Sequence, residues 1–292
     1  MKSLLLTTAA LLLIGAAPPK RLTPTDVVNA APASAWKAIP AEDLLVMDLK
    51  NGGRVVLQLA PKFAPVHVAN IRALARGNYW DGATIYRVQD AYVAQWGLND
   101  SDKGFPAGVT AKPPAEYTRA LKGLSVKPLG SADPYAPGAG FVDGWPVAYS
   151  AKGNWANLAH CYGSVGVGRD LSPDTGSGGE LYAVFTPLRH LDRNIAVVGR
   201  VIDGMANLSA LPRGTEALGF YKDKAQYVPI ASIRLASDMP AGGRPTYEYL
   251  DTGSASFARY LTIRANRHDD FYIRPAGGVD LCNVSPPVRK KG

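Results

Sequence analysis

Arg87 is the one cation inside the apolar and aromatic run from Tyr79 to Gly97, and Tyr92 and Gln95 follow it closely. A guanidinium stays charged, and burying it without acceptors is costly. An arginine kept on such a strand therefore reads as a working donor, against the plainer reading of a structural arginine bonded to loop carbonyls. With a period of two, Ile85, Arg87 and Gln89 share one strand face, and Tyr86 and Val88 share the other. After the turn-like Gln89-Asp90, Tyr92 and Ala94 alternate with Val93 and Gln95. The chemistry on offer is non-covalent. A fixed cation beside an apolar, tyrosine-rich surface can donate to a peptide amide, and Gln95 can orient it.

Other chemistries lack their residues. No Gly-x-Ser-x-Gly elbow frames a serine. Gly166-Val167-Gly168 has neither the rest of a GxGxxG pattern nor a P-loop lysine. Neither cysteine has a CxxC partner and the four histidines are dispersed, so no metal and no cofactor are expected. His190 taken alone reads as a surface-loop histidine, and Tyr92 and Tyr182 are equally compatible with core aromatics. The net charge is +8, but the basic residues are scattered, and the cluster Arg289-Lys290-Lys291 lies at the terminus. No nucleic-acid partner is expected.

The elements that must hold these residues are mostly strands. At 292 residues and 47% apolar content, the chain can build one large domain or two small ones. Leu44–Leu59 reads as a hairpin turning at Asn51-Gly52-Gly53. Pro65 opens an amphipathic helix to about Arg76, with Val68, Ile71, Leu74 and Ala75 inward. Strands follow over Gly82–Val88 and Tyr92–Gly97. Residues 98–160 are the least regular, rich in Gly, Pro, Ala, Lys and Tyr. Order returns at Gly163, with a short helix over Met205–Leu211 and a strand over Ile230–Leu235. Asp251–Arg267 has near-helical spacing, and Phe271–Arg289 reads as extended and irregular.

Two stretches resemble the cyclophilins, the peptidyl-prolyl cis-trans isomerases. One is Ile85-Tyr86-Arg87-Val88 with Tyr92-Val93-Ala94-Gln95-Trp96-Gly97. The other runs from Gly163 to Asp203 and holds His190-Leu191-Asp192 and Val197-Val198-Gly199-Arg200-Val201. The resemblance covers roughly Leu44–Asp238. It implies a mainly β fold, a closed antiparallel barrel capped by two α-helices, here with a long irregular insertion and a C-terminal appendage. It implies an isomerase acting on Xaa-Pro bonds of proline-containing client segments. Arg87 and Gln95 take catalytic positions, and Tyr92, Val93, Tyr182 and Leu191 resemble the proline cup. His190, Gly168, Arg169 and Glu180 occupy substrate-binding positions in altered form. A second pocket glutamine becomes Glu180, an Ala-Asn pair becomes Gly168-Arg169, a tryptophan becomes His190 and a histidine becomes Ile195. Glu180 can either pair with Arg87 and tighten its placement or neutralise it. The altered positions also suit a catalytically weak peptide-binding or chaperone-like module on the same fold.

The N-terminus reads as a secretory leader. Lys2 precedes the apolar Ser3–Ile14, and Gly15-Ala16-Ala17 offers a cleavage site before Pro18. The alternative is an uncleaved anchor, although the run is short for a membrane span. The expected organisation is a signal peptide at 1–17, a linker or N-terminal extension at 18–40 with a possible helix at Thr25–Ala30, a cyclophilin-like domain at 41–238 with its insertion at 98–160, and an appendage at 239–292 packed on the barrel. Periplasmic location and a monomer without membrane insertion follow as expectations. In an oxidising compartment Cys161 and Cys282 are expected to pair, the alternative being two buried thiols.

Overall fold

The computed structural model describes residues 21–99, 102–269 and 271–291. The leader at 1–17 and the first residues of the 18–40 extension lie outside them.

The hairpin forms where expected, as β2 (Leu44–Leu49) and β3 (Arg54–Leu59). Gly52 takes φ +89°, a turn conformation costly for other residues, and Asn51 accepts from the Gly53 N–H. Helix α2 (Pro65–Arg76) buries Val68, Ile71, Leu74 and Ala75 in the barrel core. Next come β4 (Thr84–Val88) and β5 (Val93–Gly97), then β11 (Ser164–Val167), β12 (Leu181–Val184), β13 (Val197–Asp203), α3 (Met205–Ser209) and β14 (Val228–Leu235). Eight strands close an antiparallel barrel in the order β11-β12-β5-β4-β14-β2-β3-β13, with β13 returning to β11. Closure leaves no free edge. The two capping helices are α2 and α3, the latter contributing Leu208 to the core.

Residues 98–160 are more ordered than their weak periodicity suggests. They hold β6 (Arg119–Ala120), β7 (Lys127–Pro128), β8 (Gly138–Val142), β9 (Trp145–Ser150) and β10 (Trp155–Leu158), a five-stranded antiparallel sheet in the order β6-β10-β9-β8-β7. The sheet is covered on both faces. Phe141 packs with Phe257 and Leu281, while Val142, Trp145 and Val147 pack on Ala60, Phe63 and Val197 of the barrel region. A strand buried on both sides shows no apolar–polar alternation, which is the signal the sequence lacked.

The extension and the appendage also meet. Helix α1 (Pro24–Asn29) starts at a capping box in which the Thr23 side chain accepts from the Asp26 N–H and the Asp26 carboxylate accepts from the Thr23 N–H. Strand β1 (Trp36–Ala38) pairs with β15 (Tyr247–Leu250), which pairs with β16 (Val288–Lys290). The Ala- and Pro-rich 18–40 segment is thus no free linker where it is described, because strand pairing supplies order that its composition does not. Tyr247 and Tyr249 of β15 pack on Leu44, Val46 and Val56, covering the outer side of the hairpin. Helix α4 (Ala255–Ala265) docks Phe257 against Phe141, ring centroids 4.9 Å apart. Cys161 and Cys282 form a disulfide with a Cα separation of 4.9 Å.

Candidate active site

Arg87 reaches the outer groove through a break in strand periodicity. β4 and β5 shift register between Ile85 and Arg87, a β-bulge. Ile85 and Val88 therefore both enter the barrel core. Tyr86 and Arg87 both face the groove side, where they line adjoining cavities. The face assignment from strict alternation fails here for that reason.

Three acceptors hold the guanidinium. Nε donates to the Leu218 carbonyl at 2.7 Å, Nη1 to Gln95 Oε1 at 2.9 Å and Nη2 to Gln89 Oε1 at 2.6 Å. Its carbon lies 5.7 Å from the Tyr92 ring centre and 5.4 Å from that of Phe220. Burial pulls its pKa down, partly offset by the hydroxyls of Tyr92, Tyr86 and Tyr182, but an arginine remains charged. It forms no ion pair with any described carboxylate.

The structure gives Glu180 a third role, neither pairing with Arg87 nor neutralising it. Its Oε2 accepts from the Tyr86 hydroxyl at 2.7 Å, and its Oε1 accepts from the N–H groups of Leu98 and Asn99. The Tyr86 hydroxyl in turn accepts from Gln95 Nε2 at 2.7 Å. Burial first, and then Glu180, push the Tyr86 hydroxyl well above its ordinary pKa, so it keeps its proton and must donate it to the carboxylate. This fixes the Gln95 amide. Its NH2 faces Tyr86, and its oxygen faces Arg87, which can only donate. Glu180 thus acts on Arg87 through Tyr86 and Gln95. Gly97 makes room for it, since a Cβ there would sit 1.9 Å from Glu180 Oε2.

Beside Arg87 lies a cavity of about 570 Å³. Tyr92, Val93, Tyr182, Leu191 and Ile195 form a small apolar cluster on one side, and Leu218 and Phe220 stand on the other. Gly168 and Arg169 line it as well. The Gly168 N–H donates to the Glu180 carbonyl, and the Arg169 guanidinium donates to the carbonyls of Asn194 and Asp170. His190 does not line the cup; it is exposed on the rim with its ring 6.3 Å from that of Tyr92. A second cavity, of about 600 Å³, adjoins the first and shares Gln95, Gly168, Arg169, Asp170 and Phe220 with it; Glu180 lines this second space.

Sequence reasoning missed the groups behind the cup. Tyr182 rests against buried His160, hydroxyl to Nε2 at 3.3 Å, and His160 Nδ1 faces Asp192 at 3.0 Å. Asp192 is gripped by Arg189, which also binds Asp133 of the inserted segment. Burial alone would raise the Asp192 carboxyl, but hydrogen bonds from His160 and Arg189 outweigh it and hold the pKa below its ordinary value. Leu218 and Phe220 were also missed. They sit on an irregular loop with Leu218 at φ +59° and Gly219 at φ +79°, and no periodicity marks them.

The site is a fixed guanidinium beside an apolar cup, on the outside of a closed antiparallel barrel. The family model described as cyclophilin type peptidyl-prolyl cis-trans isomerase/CLD matches residues 44–235. The protein is 27% identical over 183 residues to a probable peptidyl-prolyl cis-trans isomerase of Brucella suis, covering 62% of this chain and 76% of that one. It is 26% identical over 157 residues to peptidyl-prolyl cis-trans isomerase B of Bacillus subtilis, covering 54% and 82%. A crystal structure of a cyclophilin from Hirschia baltica is similar in fold, with TM-score 0.69 at 21% identity over 92% of this chain and 97% of that one. The protein belongs to the cyclophilin-type peptidyl-prolyl cis-trans isomerases.

Proposed function

We propose that Arg87 drives Xaa-Pro isomerisation by binding the twisted amide better than either planar form. The barrier is amide resonance, about 18–20 kcal/mol, and needs no nucleophile. The observation that carries this reading is the held but unpaired guanidinium. Of the five N–H groups of an arginine, three are engaged, by Leu218, Gln95 and Gln89, which leaves two for a ligand. The cup of Tyr92, Val93, Tyr182 and Leu191 takes the proline ring. A donor on the proline side favours the state in which conjugation is lost and charge gathers on the amide atoms. Extended client chain then runs across Gln95, Gly168 and Arg169 into the adjoining cavity.

The test is exchange NMR on an Ala-Pro peptide with wild type and Arg87→Ala, folding being checked by circular dichroism. Turnover should fall on the order of 100-fold in the variant if chemistry limits the rate, with peptide binding kept. Equal exchange rates would falsify the role.

The clients that fit are unfolded or envelope proteins outside the cytoplasm. The leader-like start and the disulfide support an exported, periplasmic protein with its mature start near Pro18. Mass spectrometry of the periplasmic fraction checks this, and a soluble form retaining Met1 would count against cleavage.

A further inference from the structure

A third cavity, of about 500 Å³, shares no residue with the groove around Arg87. It opens where the barrel, the inserted sheet, α1, α4 and the C-terminal segment meet. Trp145, Leu158, Val197, Val201 and Pro286 give it apolar walls. Among the described residues, two cations line it, Arg200 of β13 and Arg264 of α4, and no Asp or Glu does. Arg200 is fixed. Nε and Nη2 donate to Gln58 Oε1 at 3.0 and 2.8 Å, and Nη1 donates to the Gly144 carbonyl at 2.9 Å. Its carbon lies 4.7 Å from the Trp145 ring centre. Arg264 donates to the Asn283 carbonyl. Neither forms an ion pair with a described carboxylate.

A guanidinium sunk into protein without a counter-charge is expensive unless something supplies one. Burial pulls the Arg200 pKa down to about 10, and only the Tyr249 hydroxyl opposes the fall. The remaining Arg200 donors are suited to a carboxylate, which an arginine fork matches in geometry. The walls suit an apolar body, and the volume lies within the range of small-molecule sites.

We infer that this cavity is a second ligand site, separate from the isomerase groove, that binds a small apolar monocarboxylate with its carboxylate on Arg200 and Arg264. Such a carboxylate can come from a medium-chain fatty acid or from the C-terminal residue of an apolar peptide. Octanoate and N-acetyl-Pro-Leu represent the two sources.

Each probe is titrated into the full protein while amide and indole NMR signals are followed. Saturable shifts at Trp145, Val201 and Tyr260 are expected with at least one probe, and the probe that binds identifies the source. Octanol and the peptide amide carry the same bodies without the charge, so they should bind about tenfold or more weakly. Arg264→Gln, at a half-buried position of α4, should weaken the carboxylate by a similar factor, and so should Arg200→Gln. Exchange of an Ala-Pro peptide at the Arg87 groove should stay unchanged in both variants. No saturable shift with either acid, or equal binding of acid and neutral analogue to wild type, overturns the site. The second comparison needs no variant, so a folding defect at Arg200 cannot obscure it.

Discussion

At the scale of the residue, the proposed site rests on one cation whose direction is set by neighbours rather than by a charge partner. On that proposal, a carboxylate on Arg87 would consume the fork offered to the amide. Neutral acceptors on Leu218, Gln95 and Gln89 fix it and leave its charge unspent. Arg87→Lys should therefore recover little of the rate lost in Arg87→Ala, because an ammonium on a flexible stem cannot satisfy three separated acceptors and still face the substrate. The same exchange NMR measures it, and near-wild-type turnover for the lysine variant would reject the geometric argument. On the same proposal Tyr86 is a positioning residue, hydrogen-bonded to Arg87's partner Gln95 and to Glu180. Tyr86→Phe frees the Gln95 amide to rotate and leaves Glu180 short of a donor. Turnover should fall about tenfold, equivalent to roughly 1.4 kcal/mol, while peptide affinity changes little. A loss confined to affinity would mean that Tyr86 only shapes the second cavity.

At the scale of the element, the cup is held from behind. Arg189 ties Asp133 of the insertion to Asp192, and Asp192 holds His160 against Tyr182. Because the Asp192 pKa is depressed in the folded protein, its stabilising effect is present above the ordinary value of 3.8 and is lost as pH falls through the lower folded value. Asp192→Asn should cost about 3 kcal/mol at neutral pH. It should also flatten the loss of stability as pH falls below about 4. Urea unfolding across that range checks it, and parallel curves for wild type and variant would reject the assignment. This network was illegible in the sequence beyond Asp192 itself, because His160 and Asp133 lie in the segment that reads as irregular. The hairpin at Asn51-Gly52 and helix α2 were legible from alternation and helical spacing, whereas the grouping of Arg87, Tyr92 and Gln95 came from the family pattern and not from alternation. The bulge at Tyr86 was not, since one extra residue reverses every later face assignment without changing composition. The inserted sheet escaped notice because both its faces are covered, and β1 because its order comes from β15, distant in sequence.

At the scale of the whole molecule, the barrel carries a second layer assembled from three separated pieces of chain. Ala35 and Trp36 from the N-terminal side, Ala139 and Phe141 from the insertion, and Phe257 and Leu281 from the C-terminal side share one apolar cluster. None of the three encloses that cluster alone, so each depends on the others for burial. The disulfide lies in the same cluster and spans 121 residues of sequence, joining the end of the insertion to the C-terminal segment. Closing a loop of that length removes freedom mainly from the unfolded chain, worth about 3–5 kcal/mol. The groove at Arg87 is lined by barrel strands, by the 168–171 segment with Leu191 and Ile195, and by the 218–220 loop, and neither cysteine lines it. Stability and activity should therefore separate. Cys161→Ala with Cys282→Ala should lower the stability measured by urea unfolding by about 3–5 kcal/mol. Exchange of an Ala-Pro peptide below the unfolding transition should remain at the wild-type rate. Hydrogen exchange locates the effect: protection should fall first in β15, β16 and α4, with the barrel strands β2, β3 and β13 following later. Uniform loss of protection across the barrel, or a loss of isomerase activity in the still-folded variant, would mean instead that the second layer and the barrel form one cooperative unit and that the disulfide supports the site itself.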